Sequence, residues 1–247
     1  MSAVVRALVN AAPLVFDRRV LALVFLPFVA GIVLWIIGWF AFGGAMTDVV
    51  AALVARGLAV FGLDPHPGAF ATTAGAFVAF LLMTLVAGAV ALAAIAIFAG
   101  PVFVRAVEAR HFPTLERRKG GTMLGSLANA AVALAVFIPL WLVILPTLFF
   151  PMLGLPLSLA LGAWLNQRLF RYDALAEHAS ADELRSVIDA ARGRLMGLGL
   201  VVAPLALVPF VNLVAPLYAG LAFTYLCLGE LAALRGRTSA VPKGALA

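Results

Sequence analysis

Residues 20–47, VLALVFLPFVAGIVLWIIGWFAFGGAMT, carry no charge and follow directly on an arginine pair, Arg18-Arg19. A helix of about 20 apolar residues crosses a hydrocarbon core of about 30 Å, so this run reads as a membrane span. The property recurs along the chain. Residues 67–104 and 123–165 are also free of Asp, Glu, Lys and Arg.

Composition agrees. Hydrophobic residues make up 65% of the 247 and charged residues 11%, with a mean hydropathy of +1.13. A soluble domain carries roughly a quarter of its residues as charges, so too few are present here to clothe a water-facing surface. The fold class expected is an all-α integral membrane protein. The single cysteine, Cys227, excludes an internal disulfide or a redox pair. The net charge of +6 falls in short segments between apolar runs, which is the positive-inside pattern and not a nucleic-acid-binding face. A cleaved signal peptide is not expected, because the first apolar run exceeds an h-region of about 7–15 residues.

Charge position sets the expected topology. Arg6, Arg18 and Arg19, the segment 105–119, the segment 168–194 and the tail with Arg235, Arg237 and Lys243 can share one side; of the basic residues only Arg56 lies apart. Positive-inside makes that side the cytoplasm, with both termini there, and places 48–67 outside. Two spans are expected, 20–42 and 71–104, within one helical domain covering 1–234. Residues 1–16 read as a helix lying in the interface, and 49–63 as a separate outer helix ended by Asp64-Pro65-His66-Pro67. Trp35, Trp39 and Phe40 suit an interfacial aromatic belt.

Two further apolar regions, 123–165 and 195–234, are broken by proline: Pro139, Pro146, Pro151 and Pro156 in the first, and Pro204, Pro209 and Pro216 in the second. Each holds either two spans joined by a tight outer turn or a hairpin that enters and leaves on the cytoplasmic side. The turns are apolar and the arms 157–165 and 195–208 are short, which favours two Pro-broken hairpins that only partly penetrate. Between them Ser180-Ala181-Asp182-Glu183 forms a capping box that opens a short cytoplasmic helix over 181–194. His66 and His178 read as solvated loop residues, and 235–247 as a disordered tail.

The order of several motifs resembles a known family. Arg18-Arg19, Ala99-Gly100-Pro101 followed by Glu108, Asn166-Gln167-Arg168-Leu169-Phe170-Arg171-Tyr172-Asp173, and Val208-Pro209-Phe210-Val211-Asn212-Leu213-Val214-Ala215-Pro216 stand as in the CysZ sulfate permeases of the etoposide-induced 2.4 superfamily. The resemblance implies two long spanning helices, two partly penetrating hairpins, homo-oligomeric assembly in the inner membrane, and sulfate entry for cysteine synthesis. It also implies an anion site at the arginine pair. The family typically has Gly-Leu before that pair; Phe16-Asp17 stands here and predicts weaker anion binding.

The candidate site residues follow. Arg18 and Arg19 are expected to hold a small anion by charge-assisted bonds at a helix N-terminus. Arg105, Glu108 and Asn212 are candidates for a pore or gate, since ionised groups at membrane depth cost about 2.5–3.5 kcal/mol and usually face a partner or a water path. No Walker loop, dinucleotide fingerprint, zinc motif or nucleophile elbow is present, so neither an enzyme nor a cofactor is expected. The expected partners are sulfate or a similar anion, lipid, and further copies of the chain. The alternative is a non-transporting scaffold or lipid-interacting protein of the same superfamily.

Overall fold

The computed structural model describes residues 2–62 and 69–240. Among them the regular structure is entirely helical. Its seven α-helices are α1 (Ala3–Ala11), α2 (Arg18–Val60), α3 (Ala69–His111), α4 (Met123–Ile144), α5 (Pro151–Ala176), α6 (Ala181–Val202) and α7 (Val211–Ala240). Short 3-10 turns follow α1, α4 and α6 at Ala12–Phe16, Leu145–Phe149 and Ala203–Leu207. Four helices among the described residues, α2, α4, α6 and α7, the second and third with their 3-10 extensions, are long and apolar enough to cross a membrane. The chain divides into two compact units, residues 22–98 and residues 1–21 with 99–247.

The first unit is an antiparallel pair formed by α2 and α3. Trp35 Nε1 donates to Thr84 Oγ1 at 3.2 Å, and Trp35 and Trp39 stack at 5.8 Å with Phe80 edge-on to both. The helices approach closely at Gly75, where an added Cβ would lie 2.9 Å from the Thr47 carbonyl oxygen, so backbone meets backbone as in other small-residue membrane contacts. Outward residues such as Phe25, Leu26, Phe40 and Leu85 are exposed, an all-round apolar surface suited to lipid. The separate outer helix expected over 49–63 is instead the continuation of α2. No proline follows Pro27 before Pro65, so helical propagation runs through Gly43-Gly44. At 43 residues α2 is about 65 Å long, twice the hydrocarbon thickness. Asp64-Pro65-His66-Pro67 lies outside the described residues.

In the second unit α7 is central. Phe223, Leu221, Leu228 and Leu231 are fully buried, packed with Leu175, Leu195 and Leu198 of α5 and α6. The amphipathic α1 lies across α7: Tyr218 Oη donates to the Leu8 carbonyl at 3.0 Å and Asn10 Nδ2 donates to Tyr225 Oη at 3.2 Å. Ala7, Ala11 and Leu14 are buried there while Val5, Val9 and Phe16 stay exposed.

Both proline-broken regions fold as helical hairpins, α4–α5 and α6–α7, with longer arms than expected. The arm 157–165 is part of the 26-residue α5, which opens on Pro151, where a missing N–H costs nothing, and runs on through Pro156. The helix expected over 181–194 and the arm after it are one continuous helix, α6, running from the capping box to Val202. The expected disordered tail also begins late. Arg235 is held by Glu183 and two carbonyls, and α7 extends to Ala240. Residues 241–247 lie outside the described residues. Gly199 sets the register between α5 and α6, since a Cβ there would sit 2.8 Å from the Ala163 carbonyl oxygen. Phe210, at the second hairpin tip, takes a left-handed φ of 64°.

Candidate functional site

The arginine pair opens α2. Asp17 before it is extended, and its Oδ1 accepts from the Arg19 N–H at 2.8 Å while its carbonyl accepts from Leu21 N–H at 2.9 Å. One of the N–H groups that would meet an anion at this terminus is therefore already capped by a carboxylate. Arg18 and Arg19 are exposed and make no ion pair among the described residues. Flanking them, Val15 and Phe16 share an apolar groove with Leu205, Val211 and Tyr218. The tip of the α6–α7 hairpin thus lies beside the start of α2, and Asn212, exposed in the first turn of α7, follows directly on the groove residue Val211. The Asn212 N–H is satisfied by the Val208 carbonyl at 3.0 Å.

Arg105 and Glu108 lie elsewhere. Gly220 packs against Phe103 and Gly229 against Phe112, so the end of α3 runs beside α7 in the same direction. Glu108 is then level with about residue 225 of α7, roughly 20 Å along that helix from Asn212. Arg105 is exposed and does not pair with Glu108. The Glu108 carboxylate is instead gripped by Arg117, which donates from Nε at 3.1 Å and from Nη2, and it has His178 Nε2 at 3.4 Å. The Arg117 guanidinium holds the carboxyl below its ordinary range, against the opposing effect of burial.

A second node adjoins it. Glu183 accepts from Arg235 Nε and Nη2, each at 3.0 Å, and from Arg118 Nη1 at 2.8 Å, which with the capping bond from Ser180 holds its carboxyl at about 2. Arg235 also donates to the carbonyls of Glu116 and His178 at 2.8 and 2.7 Å. The loop after α3 is strapped along the α5–α6 turn by the N–H groups of Arg118, Lys119, Gly120 and Gly121. His178, read from sequence as solvated, is wholly buried in this assembly. His111 is half-buried against Tyr225, and burial with the nearby Arg110 charge pushes its imidazole down.

The structure therefore brings Arg18, Arg19 and Asn212 to one end of the second unit and puts Glu108 in an ion-pair latch at the other. Sequence reading missed Arg117, Arg118, His178, Glu183 and Arg235. The signal available was scarcity: with 11 acids against 17 lysines and arginines, each acid near the charged end has several basic suitors.

A family model described as sulfate transporter CysZ/etoposide-induced protein 2.4 matches residues 7–216. No curated protein and no solved structure matches the chain. The matched range takes in the Arg18-Arg19 pair, both long helices, the first hairpin, and the second as far as Pro216. With only helices as regular structure among its described residues, and matched over most of its length, the chain belongs to the sulfate transporter CysZ/etoposide-induced protein 2.4 family.

Proposed function

We propose that the chain is an inner-membrane permease for a small inorganic anion, with sulfate as substrate and sulfur assimilation as the process it feeds. The observation that carries this reading is the family match over residues 7–216. Two features support it. Arg18 and Arg19 are exposed and unpaired where the most hydropathic of the candidate spans begins, which suits a strongly hydrated dianion that must exchange water for charged donors. The second hairpin also has limited reach. From the Arg194–Glu230 ion pair, α6 and its 3-10 turn extend about 22 Å, short of a hydrocarbon core of about 30 Å, whereas α4 with its 3-10 turn is long enough to cross. The second tip also packs beside the start of α2, on the side from which α2 enters. Broken backbone at such depth belongs in protein or along a water-filled path, which in this reading lies between assembled copies. Both termini then face the cytoplasm, where the basic segments gather.

Purified protein in liposomes is expected to take up labelled sulfate above empty vesicles, and Arg18→Ala with Arg19→Ala to reduce that uptake. One observation favours a second reading, a non-transporting scaffold or lipid-interacting role: Asp17 already fills the helix terminus where the anion would dock. Uptake no greater than in empty vesicles refutes the permease and leaves that second reading.

A further inference from the structure

Away from the arginine pair, α5 and α6 carry a second group of basic side chains that lack acidic partners. Arg168 and Arg171 are three residues apart on α5, so they share a face. Gly199 against Ala163 fixes the antiparallel register of α6 on α5, and counting back along both helices brings Arg192 level with Arg171. The three guanidinium groups thus converge at the charged end of the hairpins. None of them forms an ion pair among the described residues. Arg168 lies over the Trp164 ring at 5.6 Å, and its Nε is buried with no hydrogen-bond acceptor. Arg171 donates from Nη1 to a neutral amide, Gln167 Oε1, at 3.0 Å.

The nearby acids are otherwise engaged. Glu230 is taken by Arg194 at 2.8 Å. Asp173 faces Gly100 of α3 and bonds Ser126 of α4, and burial pushes its carboxyl up, which reduces its worth as a counter-charge. Asp189 is exposed and is the one carboxylate within electrostatic reach of Arg171, against the two like charges of Arg168 and Arg192. Burial and the Arg168 charge together push the Arg171 guanidinium down. A half-buried arginine cluster with one exposed carboxylate is costly unless oxygens of opposite charge complete it, and a tetrahedral oxyanion supplies several acceptors to planar forks.

We propose that Arg168, Arg171 and Arg192 form a second oxyanion site, at the charged end of the α5–α6 pair, for a sulfate-like or phosphate group. The group comes from a free ion or from the headgroup of an anionic phospholipid; the chemistry that recognises it is the same. The site stands apart from Arg18-Arg19 and does not depend on transport, so a failed uptake assay leaves it intact.

The test uses the full chain in detergent, with labelled sulfate and inorganic phosphate in equilibrium dialysis and mass spectrometry of retained phosphatidylglycerol. Arg192→Gln changes an exposed residue and keeps the fold. It is expected to weaken binding at this site roughly fivefold, and Arg168→Gln with Arg171→Gln by more than roughly tenfold. Arg18→Gln with Arg19→Gln is expected to leave it unchanged. Loss of labelled ion in the α5–α6 variants supports the site with a free ion as source; loss of retained phosphatidylglycerol supports it with lipid as source. Ion and lipid binding both unaltered by Arg192→Gln and by the double variant overturns it.

Discussion

Replacing Asp17 separates the two things this residue does. Its carboxylate caps α2 by accepting from the Arg19 N–H at 2.8 Å, and it sets a negative charge beside Arg18-Arg19. A sulfate docked on that terminus would lie roughly 5 Å from the carboxylate. Two negative charges against one at that separation repel by about 1.7 kcal/mol in water, and by about 0.9 kcal/mol once salt at 0.15 M screens them. Asp17→Asn keeps an oxygen acceptor for the cap and removes the charge. It is expected to tighten sulfate binding about 15-fold at low salt and about 5-fold at physiological salt, with little change in stability. Asp17→Leu should tighten binding similarly while losing about 1 kcal/mol with the cap. Equilibrium dialysis with labelled sulfate at two ionic strengths, beside a thermal melt, reads both effects. Unchanged or weaker binding in Asp17→Asn refutes the placement of an anion at this terminus.

The ion-pair latch predicts an acid response. Glu183 is held at about 2, chiefly by Arg235, from an ordinary 4.5, and Glu108 is lowered by Arg117. Depressed carboxyl values stabilise the fold above the unfolded value and lose that stabilisation as pH falls through the folded one. The melting temperature should therefore hold above about pH 5 and fall between 4.5 and 2. Glu183→Gln should flatten that slope; an unaltered slope places the acid sensitivity elsewhere. Gly199→Ala drives a Cβ to 2.8 Å from the Ala163 carbonyl oxygen, and should cost about 1–3 kcal/mol in a denaturation series, with wild-type stability counting against the α5–α6 register. Phe149 and Phe210 at the hairpin tips are 88% and 85% exposed. Cysteines placed there should resist an impermeant maleimide applied from outside, against no background from buried Cys227; ready labelling would mean that the hairpins cross.

The site was legible only where it was local. The capping box from Ser180 to Glu183 involves residues within three positions of one another, and the bond from the Arg19 N–H to Asp17 is as local. Glu108 was named only as an ionised group expected to face a partner or a water path; the loop after α3 turns back to bring Arg117 against it, nine residues on. His178 looked solvated because its neighbours in sequence are polar; the strap from Arg118 to Gly121 and the Arg235 side chain close over it. Proline positions located the hairpins but misjudged their arms. Pro156 and Pro216 lie inside α5 and α7, each in the second turn, so each helix begins before the proline and not after it.

The sequence by itself determined the membrane class, the helical content and the site of the capping box. These are sums over neighbouring residues, and neither hydropathy nor a missing N–H depends on what the rest of the chain does. Tertiary structure alone decided which acid meets which base and where the hairpin tips come to rest. Glu183 and Arg235 are 52 residues apart, and Phe16 meets Val211 across nearly the whole chain. Each of those basic and apolar groups has several chemically equivalent partners in the sequence, and only the packing of α1, α5 and α6 around α7 selects among them.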